Sequence, residues 1–239
     1  KKLDASADYL VSINDHFGAG FYYQQRIQLH LTLGNKRLAN ELISEAENNS
    51  AIARSALAHI AEVVADHSWN QKKLDAAHDY YQKTLDLTRR YNVNDVPRVA
   101  RCLADFERRA LKKPALAHSR LQPVYLDLQQ KAYSGDVVIA QRSAATELVY
   151  TLHEMVELEL QRYCFERALV LSTEVIKISV DEPSEPGSDG LVSDDSLNRQ
   201  SYSYALRGRV HIGLKNYEAA LSDFNEAKRI AELITVESL

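Results

Sequence analysis

Along almost the whole chain, apolar side chains return at intervals of three and four residues, the period of an α-helix, and strand-like alternation is absent over any useful length. The pattern predicts a lead helix near 3–16. Helix pairs follow at about 20–33 and 36–48, 51–67 and 72–91, 96–112 and 115–133, 137–161 and 164–180, and 197–214 and 216–235. Gly34-Asn35 supplies a turn inside the first pair, because both residues tolerate the left-handed backbone that ends a helix. Pro97 and Pro114 stand where a new helix can begin. Pro123 falls inside an expected helix, which predicts a kink or a boundary there.

The pairs share an internal layout. After a short turn, the second helix places a small residue early on one face, a second residue four later, and a third seven later. These sets are Ala39, Ile43 and Ala46; Ala77, Tyr81 and Thr84; Ala168, Ser172 and Val175; and Ala220, Phe224 and Ala227. Small residues seven apart form a strip that lets a neighbouring helix approach closely, and the residue between them fills the gap.

The stretch from Ser201 to Ile230 resembles a tetratricopeptide repeat (TPR), a 34-residue helix-turn-helix unit. Tyr204, Gly208, Ala220, Phe224 and Ala227 match its signature, and Tyr217 takes the aromatic position after the turn; Arg207 and His211 replace expected apolar residues. Residues 20–48 match through Tyr23, Gly34, Ala39 and Ala46. The spacing departs from the family, with 38 residues from Ala39 to Ala77 and 52 from Ala168 to Ala220, so lengthened helices or inserts are expected. The resemblance implies an all-α fold: a right-handed superhelical array of about five antiparallel helix pairs, a TPR-like α-solenoid. It further implies one domain over 1–239, with pairs at about 20–48, 51–91, 96–133, 137–180 and 197–235.

The longest gap is filled by "DEPSEPGSDGLVSDDS", residues 181–196, which holds six acids and no base among its Pro, Gly and Ser. Such a segment lacks the apolar surface to fold alone and reads as a flexible acidic loop. Only 8 Gly and 5 Pro occur in 239 residues, which favours long helices over a strand-and-turn protein. No apolar run approaches a membrane span. The start at Lys1-Lys2 without Met reads as a fragment or processed form, in which any targeting segment would be absent, and a cytoplasmic location is expected.

The net charge of −4 is unevenly distributed. Residues 72–120 carry 12 basic and 6 acidic side chains, whereas residues 121–239 carry 11 and 19. Arg98, Arg101, Arg108 and Arg109 gather near one side of a helix, which reads as an ordinary solvated face or as one suited to an acidic protein partner or the acidic half of another copy. Asp105 and Glu107 interrupt it and aromatics are sparse around it, so nucleic-acid binding is not expected.

The chain shows no catalytic constellation. It has no GxxxxGK[ST], no GxGxxG after a strand and no GxSxG elbow. In "HEMVE", Glu157 stands where a zinc motif needs its second His, so His153–Glu157 reads as a solvated helix. His59 and His67 read as core-edge or surface imidazoles, and Cys102 and Cys164 as two semi-buried thiols. No enzyme activity, cofactor or metal is expected.

In the resembled family the first helix of each pair lines a concave groove that grips a peptide or helix. Carried onto this chain, the groove positions are Phe21, Gln24, Gln28 and Leu31 in the first pair, and Tyr202, Ala205, Arg209 and Ile212 in the last. Arg101 and Arg108 are candidates between them. Family members that clamp chaperone tails need cations where Gln24 and Ala205 stand, which argues against that ligand. The expected function is a non-catalytic protein- or peptide-binding scaffold or adaptor, part of a larger regulatory or assembly protein. The alternative is a ligand-sensing or dimerisation domain that controls a missing signalling or transcription output, with self-association as its mark.

Overall fold

The structure, a computed structural model, describes residues 9–10, 15–49, 52, 54–134, 138–181 and 193–236. Most of the expected lead helix and residues 182–192 of the acidic loop lie outside the described residues. Among the described residues the fold is all-helical, with ten long helices and no strand. They are α1 His16–Thr32, α2 Lys36–Asn48, α3 Arg54–Asn70, α4 Leu74–Tyr91, α5 Val96–Arg109, α6 Pro114–Ser134, α7 Val138–Gln161, α8 Phe165–Asp181, α9 Asp194–Gly213 and α10 Tyr217–Val236. A short 3₁₀ turn, Val93–Asp95, leads into α5. No helix of the described residues is long and apolar enough to cross a membrane.

The chain divides into two compact units, Lys1–Lys112 and Lys113–Leu239. In the first, α1 packs on both α2 and α3, α3 on α4, and α4 on α5. Its core gathers Tyr23, Ile27, Leu42, Ile43, Ile52, Leu57 and Ile60. In the second, α6 to α10 each pack on the next helix, and α7 also packs on α9. Leu148, Leu152, Met155, Leu158, Leu206 and Val210 are buried there. Each such aliphatic side chain contributes about 1.5–3 kcal/mol when removed from water.

One turn geometry recurs through both units. Positive φ occurs, among the described residues, at Gly34 (75°), Lys72 (57°), Lys112 (57°), Tyr163 (58°) and Lys215 (59°). Five residues after each comes a buried alanine: Ala39, Ala77, Ala117, Ala168 and Ala220. In four cases the residue after the left-handed one donates its N–H back over the turn. Asn35 reaches the His30 carbonyl at 2.8 Å, Lys73 that of Ser68 at 2.9 Å, Cys164 that of Glu159 at 2.9 Å and Asn216 that of His211 at 2.8 Å. This closure satisfies a carbonyl orphaned at the helix end. The same residue's carbonyl then accepts from the alanine N–H, at 3.1, 2.9, 3.0 and 3.1 Å, and so starts the next helix. The four strips of small residues expected from the sequence are buried, with Phe224 half-buried.

Helix ends shift by a few residues from the sequence expectation. The helix expected to reach 112 stops at Arg109, because Lys112 takes the left-handed turn. The helix expected to stop at 67 runs to Asn70, where Trp69 packs edge-on against Phe106 at 5.3 Å between ring centres. Pro123 ends nothing: α6 is continuous through it. Pro123 has no N–H to donate to the Ser119 carbonyl one turn back, and both residues are exposed.

Candidate functional site

In the first unit, Phe21, Gln24 and Gln28 lie along α1, with Phe21 and Gln28 exposed and Gln24 half-buried. Leu31 departs from the groove expectation: it is 8% exposed and belongs to the core with Ile27, Leu42 and Ile43. Arg108 departs likewise, being 6% exposed; it donates to Asp105 at 2.5 Å. Arg109 meets the same carboxylate at 2.6 Å. Arg98 forks between Glu62, at 2.6 and 2.8 Å, and Asp95, at 2.7 and 2.9 Å. Arg101 is half-buried. Three of the four arginines read as a basic patch are thus held by carboxylates of their own unit. Glu62, Asp95 and Arg98 also line an open pocket of about 540 Å³, together with His59, Asn92 and Asn94.

In the second unit, Tyr202, Arg209 and Ile212 follow one face of α9, with Tyr202 46% and Ile212 48% exposed and Ala205 half-buried. Facing them is the helix carrying "HEMVE". That segment is not a solvated stretch: His153 is buried and Glu157 turns toward α9. Glu157 accepts from both terminal nitrogens of Arg209, the Nη2 contact at 3.1 Å, and lies 3.4 Å from the Tyr202 hydroxyl. The His153 ring meets Tyr202 edge-on, with centres 4.9 Å apart and planes at 85°.

His153 is in turn fixed from behind. Its Nε2 lies 2.7 Å from Ser203 Oγ. Ser203 spends its own proton on the Arg199 carbonyl at 2.8 Å, so the imidazole nitrogen is the donor of the pair. Ser179 of α8 stands 3.3 Å further on and donates to the Val175 carbonyl at 2.6 Å. These contacts give Tyr202 a defined orientation while nearly half of it faces water. Its phenol is harder to ionise than usual, first through burial and then through the Glu157 and Glu154 charges. The Arg209 guanidinium is held charged chiefly by its bond to Glu157.

The recurring turn sets a register between pairs. Tyr163 and Lys215 are 52 residues apart, and the same step carries Tyr150 to Tyr202, Glu157 to Arg209 and Leu160 to Ile212. In the first unit the step from Gly34 to Lys72 carries Phe21 to His59, Gln24 to Glu62 and Gln28 to Asp66. The leading position is thus held by Phe21, His59, Tyr150 and Tyr202 at four of the five turns, none of them fully buried, and at the Lys112 turn by Val99, which is buried in the core. Tyr150, His153 and Glu157 were missing from the candidate residues read from the sequence. The 52-residue step was the available signal for Tyr150 and Glu157. Among the described residues no group of His, Cys, Asp and Glu is arranged to hold a metal ion.

A solved chain shares this fold. The crystal structure of BtubC (BKLC) from P. vanneervenii aligns with a TM-score of 0.68 over 98% of this chain and 93% of that one. The two sequences are 15% identical, so the likeness is one of fold. No family model matches the chain, and no curated protein matches it in sequence.

Proposed function

We propose that the chain is a TPR-like helical-repeat scaffold that holds a protein or peptide segment on the face of its first helices and performs no catalysis. The fold reading is supported by the recurring left-handed turn with its buried alanine five residues on, and by the packing of α1 on α3 and of α7 on α9. Gly208 adds to it: a Cβ there would come within 2.9 Å of the Phe224 ring, the close approach that the repeat signature pairs with glycine.

The observation that carries the binding reading is the strip on α7 and α9. Tyr150 and Tyr202 stand at equivalent positions, as do Leu160 and Ile212, with the Glu157–Arg209 pair between them. Tyrosine and arginine, rigidly held and half exposed, are the side chains that most often anchor a protein interface. In this reading the chain serves as the recognition part of a larger regulatory or assembly protein. Affinity capture with the intact chain and with a Tyr202→Ala/Ile212→Ala variant of unchanged helical circular dichroism tests it. Loss of the captured partner in the variant is expected, and full retention would reject the strip as the binding face.

A further inference from the structure

In the second helix of a pair, four positions meet the helices that follow: two, six, nine and thirteen residues after the left-handed turn residue. At the first of these, the Phe165 ring of α8 leaves no room for a Cβ at Gly213 of α9. At the second, His78 of α4 lies 3.1 Å from Glu107 of α5, and His118 of α6 lies 3.2 Å from Glu159 of α7. At the third, the Tyr81 ring of α4 stands 5.2 Å from that of Phe106 in α5. At the fourth, the Tyr125 hydroxyl of α6 donates to Glu174 of α8 at 3.1 Å. In α4, α6 and α8 none of the four positions is exposed. In α2 three of them are exposed, and these hold the polar residues Lys36, Asn40 and Glu47.

In α10 the four positions hold Tyr217, Leu221, Phe224 and Lys228. Among the described residues α10 packs on α9 alone. Tyr217 is 66% and Leu221 62% exposed, Lys228 is exposed and Phe224 is half-buried. This face combines the apolar character of the covered faces with the exposure of the polar one. Its spacing is also self-complementary. Intervals of four, three and four read the same from either end. A second α10 laid antiparallel across it therefore sets Tyr217 opposite Lys228 and Leu221 opposite Phe224, each contact made twice about a two-fold axis. An ammonium over a tyrosine face is attracted by the ring, and Glu218 flanks it. Lys228 is free to turn there, because its exposed contact with Glu232 at 3.7 Å holds it weakly. A parallel arrangement would set Lys228 against Lys228, and like charges brought together at an interface are costly.

We propose that the free face of α10 is a self-association surface, covered by α10 of a second copy running antiparallel. The proposal uses no residue of the α7/α9 strip and stands or falls separately from it. A contact over three helical turns, about 17 Å long, belongs with the small interfaces of under about 1,200 Å² in total. The pair is therefore a reversible dimer that dissociates on dilution.

Sedimentation velocity of the whole chain from about 1 to about 500 µM tests this. The sedimentation coefficient is expected to rise with concentration from monomer to dimer and no further, because a two-fold contact closes on itself. Leu221→Asp, at an exposed position and with helical circular dichroism unchanged, should raise the dimer dissociation constant by about tenfold or more. Tyr217→Lys should raise it similarly by setting lysine against lysine. Tyr217→Lys/Lys228→Tyr, which restores the pair with its members exchanged, should recover most of that loss. A monomer throughout the range overturns the proposal. A dimer unmoved by Leu221→Asp overturns it too, since self-association then uses another surface. A Tyr217→Lys/Lys228→Tyr variant as weak as Tyr217→Lys overturns the antiparallel pairing.

Discussion

Arg207 and Asp223 meet as a two-pronged ion pair between α9 and α10, Nε to Oδ2 at 2.9 Å and Nη2 to Oδ1 at 2.6 Å. His211 Nε2 stands 3.7 Å from the same carboxylate. Arg207 and His211 are the two residues that depart from the apolar expectation of the repeat signature, and Asp223, itself buried, accounts for both. Removing one partner of a buried pair leaves an uncompensated charge, whereas replacing both with apolar groups is often close to neutral. Asp223→Ala is therefore expected to destabilise the protein by about 2–4 kcal/mol, and Arg207→Leu/Asp223→Leu by about 1 kcal/mol or less. Urea denaturation of Asp223→Ala, of the singles Arg207→Leu and Asp223→Leu, and of the double variant checks this; additive losses of the two leucine singles would show that the pair is not coupled.

Gly20 on α1 lies against Ala56 on α3. A Cβ at Gly20 would fall 2.2 Å from the Ala56 Cβ, which has no rotamer by which to yield. Gly20→Ala should cost about 1–3 kcal/mol even though alanine is the better helix former. In an Ala56→Gly background the same change should be neutral or stabilising. Thermal melts of the four combinations decide it, and an equal loss in both backgrounds would contradict the close approach of these helices.

The turns store backbone strain at side-chain-bearing residues. Lys72 is exposed and holds φ at 57°, where a Cβ is unfavourable. Lys72→Gly should raise stability by about 0.5–1 kcal/mol, the relief of strain exceeding the greater freedom glycine adds to the unfolded chain. Gly34 tests the converse. Its φ is 75° and nothing lies within 4 Å of a Cβ built there, so Gly34→Ala should lose about 1 kcal/mol through the backbone alone. Guanidinium denaturation midpoints moving in the opposite directions would contradict the shared turn.

Acid should weaken the fold partly through His118. Its Nε2 lies 3.2 Å from Glu159 Oε1, a charge contact without the alignment of a hydrogen bond, and Glu159 is fully buried with Arg162 and Arg167 beside it. Burial lowers the pKa of His118 below its ordinary 6.5 more than Glu159 raises it, and the two arginines add to the lowering. The folded state therefore keeps this imidazole neutral while the unfolded chain takes up a proton first. Its contribution is fully present above about pH 6.5 and is lost as pH falls through 6.5 toward the lower folded value. His67, also lowered by burial, acts in the same direction. His118→Gln should flatten part of the decline in urea midpoint between about pH 7 and pH 5; an unchanged slope would exclude His118.

The helix pairs were legible in the sequence because their determinants are local: apolar spacing of three and four, small residues seven apart on the second helix and, in the first pair, the Gly34 turn. Helix ends were less so. Arg109 ends α5 because Lys112 adopts positive φ, which no residue type at that position announces. The candidate site was legible in halves. Tyr202, Arg209 and Ile212 were found from α9 alone. His153 and Glu157 lie some fifty residues away and were read as solvated, since the helix that covers them cannot be seen in a five-residue window. Leu31 and Ile212 share a register position, yet one is core and the other surface. That difference depends on which neighbours pack over each residue, and periodicity along a single helix does not contain it.

The binding face proposed for the second unit can be tested directly. A photo-crosslinking residue placed at position 202 of α9, and in a second variant at position 221 of α10, compares the two sides of the last pair directly, since Tyr202 and Leu221 are both exposed. With the partner recovered by affinity capture, position 202 should give an adduct to it that Ile212→Ala diminishes, and position 221 should give none to it. Partner adducts at 221 with none at 202 would contradict the assignment.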